Sequence, residues 1–481
     1  MKARLLEVAL APQNRKWWTL LSVSFGLFMI MLDNTVVNVA LKAIQTGLHA
    51  SRSELEWVVV GYALTFATFM LTGGKLADRY GRRRLFIVGL VIFTGSSLAC
   101  GLAPDASFLI AVRAVQGVGG AIMNPATLSI ITATFPPRQR GTAIGIWAGT
   151  SAMALAIGPL VGGLLTEYVH WSWIFFVNVP VGVVGIVVAR LAIDESRDTS
   201  HEQRLDLPGL LTSAAGLFSL TYGLIEANTY GWTSMRILAL FAAAVVLLAV
   251  FVLLELRQRL PMLDLSLFRS PTYSGANLAM LLVTLAMFGI FFYNSLFIQG
   301  ILGYTPVQTG AIFLPMTVLI ILIAPQAGRL SDRIGSRWLI GTGLSFVTLS
   351  LILFAQLDQS SNFWNILPGL LVGGFGMALT MTPTTAAAMG SVPVDKAGVG
   401  SAVLNAFRQV GGSLGIAVMG ALVGSRISVG IGNPAYAGQF VDGYHLGLYV
   451  AAGIAFAGAV VAAATVRKVR HVEPAEAVSA A

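Results

Sequence analysis

The feature that most constrains the fold of this chain is a short basic loop that occurs twice, each time between two long apolar segments. The first copy reads GGKLADRYGRRR, from Gly73 to Arg84, and the second reads AGRLSDRIGSRW, from Ala327 to Trp338. Superposing Asp78 on Asp332 aligns the glycines and arginines of the two copies at several positions. The pattern indicates a duplicated bundle of membrane helices.

Composition leads to the same fold class. The chain of 481 residues is 56% hydrophobic and 11% charged, whereas soluble domains are roughly 25% charged. Its apolar runs are long enough to span the ~30 Å hydrocarbon core of a bilayer. We therefore predict an all-α polytopic membrane protein with fourteen spanning helices, which begin near Trp17, Glu54, Leu85, Ala106, Gly141, Ser172, Leu207, Ser234, Thr272, Pro306, Arg337, Asn362, Gly398 and Gly443.

The distribution of basic residues predicts the orientation of these helices. The net charge is +9, but the bases are spread over many short loops and form no single patch of the kind that binds nucleic acid. If both termini are cytoplasmic, most of the 30 Lys and Arg residues fall on the inner side, as the positive-inside rule requires. We expect a multi-pass protein of the cytoplasmic (plasma or inner) membrane whose inner loops contact anionic lipids.

The position of the repeat shows how the helices are grouped. The first basic loop lies between the second and third predicted helices, and the second lies between the tenth and eleventh. A duplication of six helices therefore requires two further helices between the halves, and the fifth and thirteenth helices should be repeat partners. The predicted segments are a cytoplasmic N-terminus (1–16), a six-helix bundle (17–193), a cytoplasmic linker (194–206), two inserted helices (207–257), a second six-helix bundle (258–467) and a cytoplasmic tail (468–481).

Several classes of function lack the residues that they need. Cys100 is the only cysteine, so no intrachain disulfide is possible. The five histidines are scattered and show no metal-ligand spacing. No nucleophile, metal cluster or acid pair suggests catalysis, so we predict no enzyme, no bound metal and no cofactor. A monomer is expected.

The first predicted helix carries an acidic residue at membrane depth. Asp33 lies near the middle of this apolar segment, where an ionised carboxylate costs about 2.5–3.5 kcal/mol. Asn34 and Asn38 lie one turn apart on a neighbouring face, which should point into the bundle. The asparagines are interpreted mainly as interhelical hydrogen-bonding groups, whereas a functional role is favoured for Asp33.

The fourth predicted helix supplies a possible partner. Arg113, Gln116 and Asn124 fall on one face of this helix, and Arg113 lies about 12 Å from its outer end, as does Asp33 in the first helix. We predict that the two charges pair, or share one polar network, in at least one state. The alternative is an arginine that extends to the membrane surface, although about 12 Å is long for that.

The basic loops have a structural and a functional interpretation, which the residues alone support about equally. Glycines permit a tight turn, and the arginines hold the loop at the anionic face. Alternatively, Asp78 makes a contact that exists in only one conformation and so biases the equilibrium between states. The candidate gating residues are Gly74, Asp78, Arg79, Gly81, Arg82, Asp332 and Arg333.

These motifs resemble those of the major facilitator superfamily, in particular its fourteen-helix drug/proton antiporters. The loop matches G-x-L-A-D-R-x-G-R-R from Gly74 to Arg83, and the fourth helix matches R-x-x-x-G-x-G from Arg113. The first helix matches L-D-x-T-V-V-N-V-A-L but has Lys42 where the family pattern ends in proline. The fifth helix resembles the antiporter signature G-P-x-x-G-G, carried here by Gly158, Pro159, Gly162 and Gly163.

The resemblance implies a fold of two six-helix pseudo-repeats plus two inserted helices, and it strengthens the gating interpretation of Asp78. It also implies proton transfer at Arg113 and export by alternating access. We therefore expect a multidrug-efflux antiporter that exports amphipathic small molecules, confers antibiotic resistance and uses Asp33 to bind the coupling proton. The alternative is a proton-coupled uptake symporter or a facilitator of the same fold.

Two further expectations concern the interior of the bundle. The substrate cavity is predicted to involve Asn34, Asn38, Gln116, Asn124, Phe292, Tyr293, Asn294, Asn405 and Arg408. Arg408 lies about 15 Å from the cytoplasmic end of its helix, and bracing and substrate or gating roles are equally plausible for it. The other acids checked, Glu54, Glu56, Glu167, Glu226 and Glu255, are predicted at helix ends, which leaves Asp33 as the only deeply embedded carboxylate.

Overall fold

The computed structural model describes residues 12–197, 206–258, 261, 263–392, 397–430 and 432–467. Within these residues the fold is entirely helical, without a strand. The predicted terminal segments 1–16 and 468–481, and much of the linker 194–206, lie largely or wholly outside the described residues.

Fourteen helical segments follow one another along the described chain. They are α1 (Pro12–Leu48), α2 (Arg52–Tyr80), α3 (Arg82–Gly101), α4 (Ala106–Thr134), α5 (Pro137–Tyr168), α6 (Trp173–Phe176 and Asn178–Ala192), α7 (Leu207–Tyr230), α8 (Met235–Arg257), α9 (Pro271–Gly300), α10 (Pro306–Ile312 and Leu314–Ile334), α11 (Ser336–Phe354), α12 (Phe363–Gly390), α13 (Ala397–Gly424) and α14 (Ala435–Thr465). Thirteen of the segments are long and apolar enough, over their described residues, to cross a membrane. The other, α5, has 32 residues.

The packing of the helices follows the duplication. In the N-terminal half (α1–α6), α1 packs against α5 and α6, and α4 packs against α2 and α3. In the C-terminal half (α9–α14), α9 packs against α13 and α14, and α12 packs against α10 and α11. The predicted partners α5 and α13 therefore occupy equivalent positions.

The duplicated loop has the same backbone geometry in both copies. Gly81 ends α2 with φ 115°, and Gly335 ends α10 with φ 91°. Each glycine N–H donates to a carbonyl four residues earlier, to Ala77 at 3.0 Å and to Ser331 at 2.9 Å. Residues other than glycine rarely adopt such positive φ values, so the turn itself requires these two glycines.

Helices α7 and α8 lie at the junction of the halves. Helix α7 packs against both α2 and α13, and the Asn228 Nδ2 atom donates to the Ala421 carbonyl oxygen at 2.8 Å. Helix α8 packs on α7 and leaves apolar side chains uncovered, with Val245 70% exposed. An uncovered apolar helix face is suited to contact with lipid.

Two helices begin five or more residues before their predicted starts. Helix α1 begins five residues before Trp17 and continues past Lys42 to Leu48, so the absence of proline there lets the helix extend. Helix α14 begins at Ala435 instead of near Gly443. The prediction followed the apolar run, but α14 begins in a polar stretch, where the Asn433 side chain accepts a hydrogen bond from the Ala435 N–H.

Candidate transport site

An ion pair lies inside the N-terminal half, between α1 and α4. The Arg113 guanidinium donates to the Asp33 carboxylate, with 2.5 Å between Nη1 and Oδ2. Asp33 is 0% exposed and Arg113 is 1% exposed. The structure thus brings together the two charges that helical depth predicted to pair.

Further hydrogen bonds hold the pair in place. Arg113 Nη1 also donates to Gln116 Oε1 at 2.8 Å, and Gln116 Nε2 donates to Asp33 Oδ1 at 3.2 Å. On its other side, Arg113 Nε donates to the Val58 carbonyl at 3.0 Å, and the guanidinium lies 4.3 Å from the ring centre of Tyr62. This Asp33 network, formed by Asp33, Arg113 and Gln116, therefore connects α1, α2 and α4.

Several residues predicted to line the substrate cavity are buried in helix packing instead, and Gln116 is one of them. It belongs to the Asp33 network because it lies one turn from Arg113 on the same helix. Phe292 and Tyr293 of α9 are 0% exposed. On the same helix, the Asn294 Oδ1 atom accepts a hydrogen bond from the Tyr444 hydroxyl. In this conformation these residues, and the buried Asn124, do not line an open cavity.

Four predicted cavity residues remain partly exposed. Asn34 and Asn38 donate to backbone carbonyls one turn earlier in α1, and Asn405 does so in α13. Among the described residues these amides bond only within their own helices, contrary to the interpretation of the α1 asparagines as interhelical groups. Arg408 is also partly exposed, and within the described part of the chain its guanidinium has no hydrogen bond or ion pair.

Two acids placed at helix ends by the sequence are buried. Glu56 is 1% exposed and Glu255 is 3% exposed, so the prediction that Asp33 is the only deeply embedded carboxylate is wrong. Position along α2 correctly places Glu56 near a helix end. It does not reveal that α9 and α13 cover that end.

The antiporter signature on α5 packs tightly against both halves. A Cβ atom added at Gly162 would lie 2.8 Å from the Val36 carbonyl oxygen of α1, and one at Gly163 would lie 2.6 Å from the Pro306 carbonyl oxygen of α10. Gly158 faces the Thr35 side chain, and Pro159 presents its carbonyl to Gly310. These contacts require glycine because the backbones approach closely.

The contacts of α5 lie at one end of the bundle, which we call the distal face. It contains the α1–α2 and α9–α10 connections, and the opposite basic face contains the duplicated loops. At the distal face, Gln299 Nε2 donates to the Val39 carbonyl at 2.8 Å, and Glu167 accepts from the Val307 N–H at 2.9 Å. The halves are therefore joined at the distal face.

The first basic loop is held by an acid that the sequence motifs did not single out. Glu195, which follows α6, accepts from the backbone N–H groups of Arg83 at 3.1 Å and Arg84 at 3.3 Å. A carboxylate at this position satisfies free N–H groups at the start of α3. Its only sequence signal is an acidic linker. The side chains of Asp78 and Asp332 lie outside the described part of the structure, so their gating role stays a prediction.

The remaining gating candidates lie around the same loops. Arg79 and Arg333 are exposed, and Arg82 donates its backbone N–H to the Ser196 carbonyl at 3.0 Å. Gly74 faces Pro125 of α4, with 3.6 Å between an added Cβ atom and Pro125 Cβ. The loop thus packs against its own half through Gly74 and through the segment after α6.

A two-fold repeated helical bundle with a buried ion pair and closely packed halves is the architecture of a multi-pass membrane transporter, not an enzyme. The chain belongs to the Major Facilitator Superfamily, whose family model matches residues 23–416.

Related proteins match most of the chain. It is 36% identical to the tetracenomycin C resistance and export protein of Streptomyces glaucescens, over 86% of this chain and 77% of that protein. It is 37% identical to the multidrug resistance protein Stp of Mycobacterium tuberculosis (strain CDC 1551 / Oshkosh), over 85% and 76%. The puromycin resistance protein pur8 of Streptomyces alboniger is 35% identical, over 94% and 91%.

The fold also matches a solved structure. A bacterial homolog of the human lysosomal transporter Spinster, in an inward-facing and unoccupied conformation, superposes with a TM-score of 0.68. The match covers 96% of this chain and 99% of that one, at 18% identity. At that identity the likeness shows the fold alone.

Proposed function

We propose that this protein is a proton-coupled antiporter that exports amphipathic drugs or related small molecules by alternating access. The observation that carries the proposal is the buried Asp33–Arg113 pair, because charged residues are costly at membrane depth and those that occur there mark ion or substrate pathways. The resistance and export functions named for the relatives support drugs as the substrate class. The close α5 packing, which matches the antiporter signature, favours export over uptake.

Asp33 binds the coupling proton in this proposal. Burial favours the neutral form of a carboxyl group, and a neighbouring arginine favours the ionised form. Separation of Asp33 from Arg113 while the site is open to the outside would therefore load a proton. Re-forming the pair while the site is open to the inside would release it. The membrane potential contributes about 2.3 kcal/mol per charge per 100 mV to this cycle.

The substrate would bind between the halves, close to the side chains that stay partly exposed. Asn34 and Asn38 of α1 and Asn405 of α13 offer amide groups, and Arg408 offers a cation that has no partner among the described residues. The proposed orientation places the basic face and both termini in the cytoplasm, with anionic lipids around the basic loops. The protein acts as a monomer in the cell inner membrane.

The test is efflux of dyes and antibiotics from cells, followed by dye transport in vesicles under an imposed pH gradient. Asp33→Asn should abolish proton-driven transport. The matched control is Asp105→Asn, since Asp105 is an exposed N-cap whose replacement retains the capping oxygen. Proton-driven transport that survives in Asp33→Asn would contradict the proposal and favour a facilitator. Transport directed into the cytoplasm would favour the uptake symporter.

A further inference from the structure

A second buried carboxyl group lies at the distal face, where the N-terminal half, the C-terminal half and the inserted helix α7 meet. Glu56 of α2 accepts a hydrogen bond from the Tyr293 hydroxyl of α9, with 2.6 Å between Oη and Oε1. Tyr293 is 0% exposed. This bond directly joins the N-terminal and C-terminal halves.

The rest of the Glu56 carboxyl is poorly matched to a negative charge. Its Oε2 atom is buried and has no hydrogen-bond partner in the described structure. The nearest cation, Arg52, has its Nε atom 3.7 Å from Oε1, which is too long for a hydrogen bond. An ionised carboxylate in this position would leave one oxygen unsatisfied in a dry environment, which is costly.

The charged and titratable groups near Glu56 and its partner Tyr293 come from several helices. Arg52 lies on its own helix, Tyr293 on α9, Glu226 on α7 and Tyr436 on α14. The α13 residue that faces the Glu56 carboxyl group is Gly420, which carries no charge. These groups include one cation, Arg52, and one further acid, Glu226, so the positive charge of Arg52 is shared between two carboxyl groups. A proton on Glu56 removes the negative charge that nothing else fully compensates.

We propose that Glu56 is a second proton-binding site, occupied when the distal face is closed and vacated when it opens. In the closed state a proton on Oε2 leaves a neutral carboxyl that still accepts from Tyr293. When the halves separate, water reaches the carboxylate and Arg52 stabilises its charge. Protons at the distal side therefore favour closure. This inference rests on the alternating access of the proposed function, but not on Asp33.

The distance between the halves at the distal face reports this equilibrium directly. Thr46→Cys and Gln359→Cys, both exposed at the distal face, would carry spin labels. Double electron–electron resonance in lipid nanodiscs would measure the distance between the two labels. The native Cys100 is buried and so stays unlabelled. The distance distribution is recorded from about pH 5.5 to about pH 8.5, a range over which buried carboxyl groups titrate.

In the wild type, the fraction of molecules that are open at the distal face should rise several-fold as the pH rises. Glu56→Gln, which mimics the protonated carboxyl, should stay closed throughout. Glu54→Gln is the matched control and should respond like wild type, because Glu54 forms a capping box with Ser51 and glutamine also suits that position. Tyr293→Phe should increase the open population over the whole range, because the bond between the halves is lost.

Two outcomes would overturn the proposal: an unchanged pH response in Glu56→Gln, or no response in wild type. A response that disappears in Asp33→Asn but persists in Glu56→Gln would assign the effect to Asp33 instead. Failure of the proposed function would look different. Proton-driven export would then survive in Asp33→Asn, whereas the distance change would still depend on Glu56.

Discussion

At the residue scale, the Asp33 network explains how the chain keeps two opposite charges inside a membrane bundle. Arg113 uses separate nitrogen atoms for Asp33 and for the Val58 carbonyl, which a lysine could not reproduce with the same geometry. Gln116 contacts both charged groups. The ion pair is therefore part of the packing of α1, α2 and α4 as well as the proposed proton site.

Removal of one member of the pair should cost more than removal of both. Arg113→Met leaves the Asp33 carboxylate buried without its cation, and we expect the free energy of unfolding to fall by about 3–5 kcal/mol. The double variant Asp33→Asn/Arg113→Met should recover much of this loss. Thermal unfolding in detergent measures both effects, and strictly additive losses would contradict the proposed coupling. The penalty of the single variant should be smaller at low pH, where Asp33 takes up a proton.

Arg408 should behave differently from Arg113, because no described contact in the folded protein depends on it. Arg408→Gln is expected to leave the thermal unfolding temperature nearly unchanged. It should raise the KM for an exported dye about ten-fold or more, the effect of losing one interaction of about 1.4 kcal/mol with the substrate. A large drop in unfolding temperature with an unchanged KM would indicate a bracing residue instead.

Sequence reasoning succeeded where the depth of a residue along its helix decides its environment, and it failed where the packing of neighbouring helices decides. Counting along two helices sufficed to pair Asp33 with Arg113, since both lie far from any helix end. The burial of Glu56 was missed because it depends on α9 and α13, which no local pattern reveals. Tyr293 was predicted to line the substrate cavity, whereas in the structure it is buried and donates its hydroxyl proton to Glu56, a partner that no local pattern indicates.

At the scale of elements, α5 shows why glycine spacing carries information. Its signature predicted close packing, which the structure shows together with the identity of the neighbouring helices. Gly158 and Gly162 contact α1, whereas Gly163 contacts α10. One helix therefore touches both halves at the distal face, and its packing must change whenever the halves separate.

Enlarging a glycine on α5 should therefore impair transport. Gly162→Ala places a Cβ atom 2.8 Å from the Val36 carbonyl, so α1 and α5 must move apart. We expect dye efflux to fall several-fold although alanine favours a helix by about 0.5–1 kcal/mol over glycine. The matched control is Gly149→Ala on the same helix, where an added Cβ meets nothing within 4 Å. Equal efflux in the two variants would show that the close packing has no role in transport.

At the scale of the whole molecule, the duplication organises two similar bundles, and the inserted pair occupies their junction. The helix count located the insertion in the sequence, because the repeat spacing demanded two extra helices. It could not predict that α7 packs against α2 and α13, since this depends on how the two bundles meet. Trp57 of α2 lies 5.6 Å from Phe218 of α7, measured between ring centres. Helix α7 thus contacts both halves beside Glu56, and α8 packs on α7.

The orientation of the whole molecule is the remaining prediction that follows from charge. The basic loops should face the cytoplasm, because inner-side Lys and Arg residues set the topology of membrane helices. Since Cys100 is buried, cysteines introduced at exposed positions report their side of the membrane without interference. Thr46→Cys and Gln359→Cys lie at the distal face, and Ser266→Cys lies between α8 and α9 at the basic face. A membrane-impermeant maleimide should label the first two in intact cells and the third only after permeabilisation. The reverse labelling pattern would show that the basic face lies outside the cell, and a proton bound at Glu56 would then come from the cytoplasm.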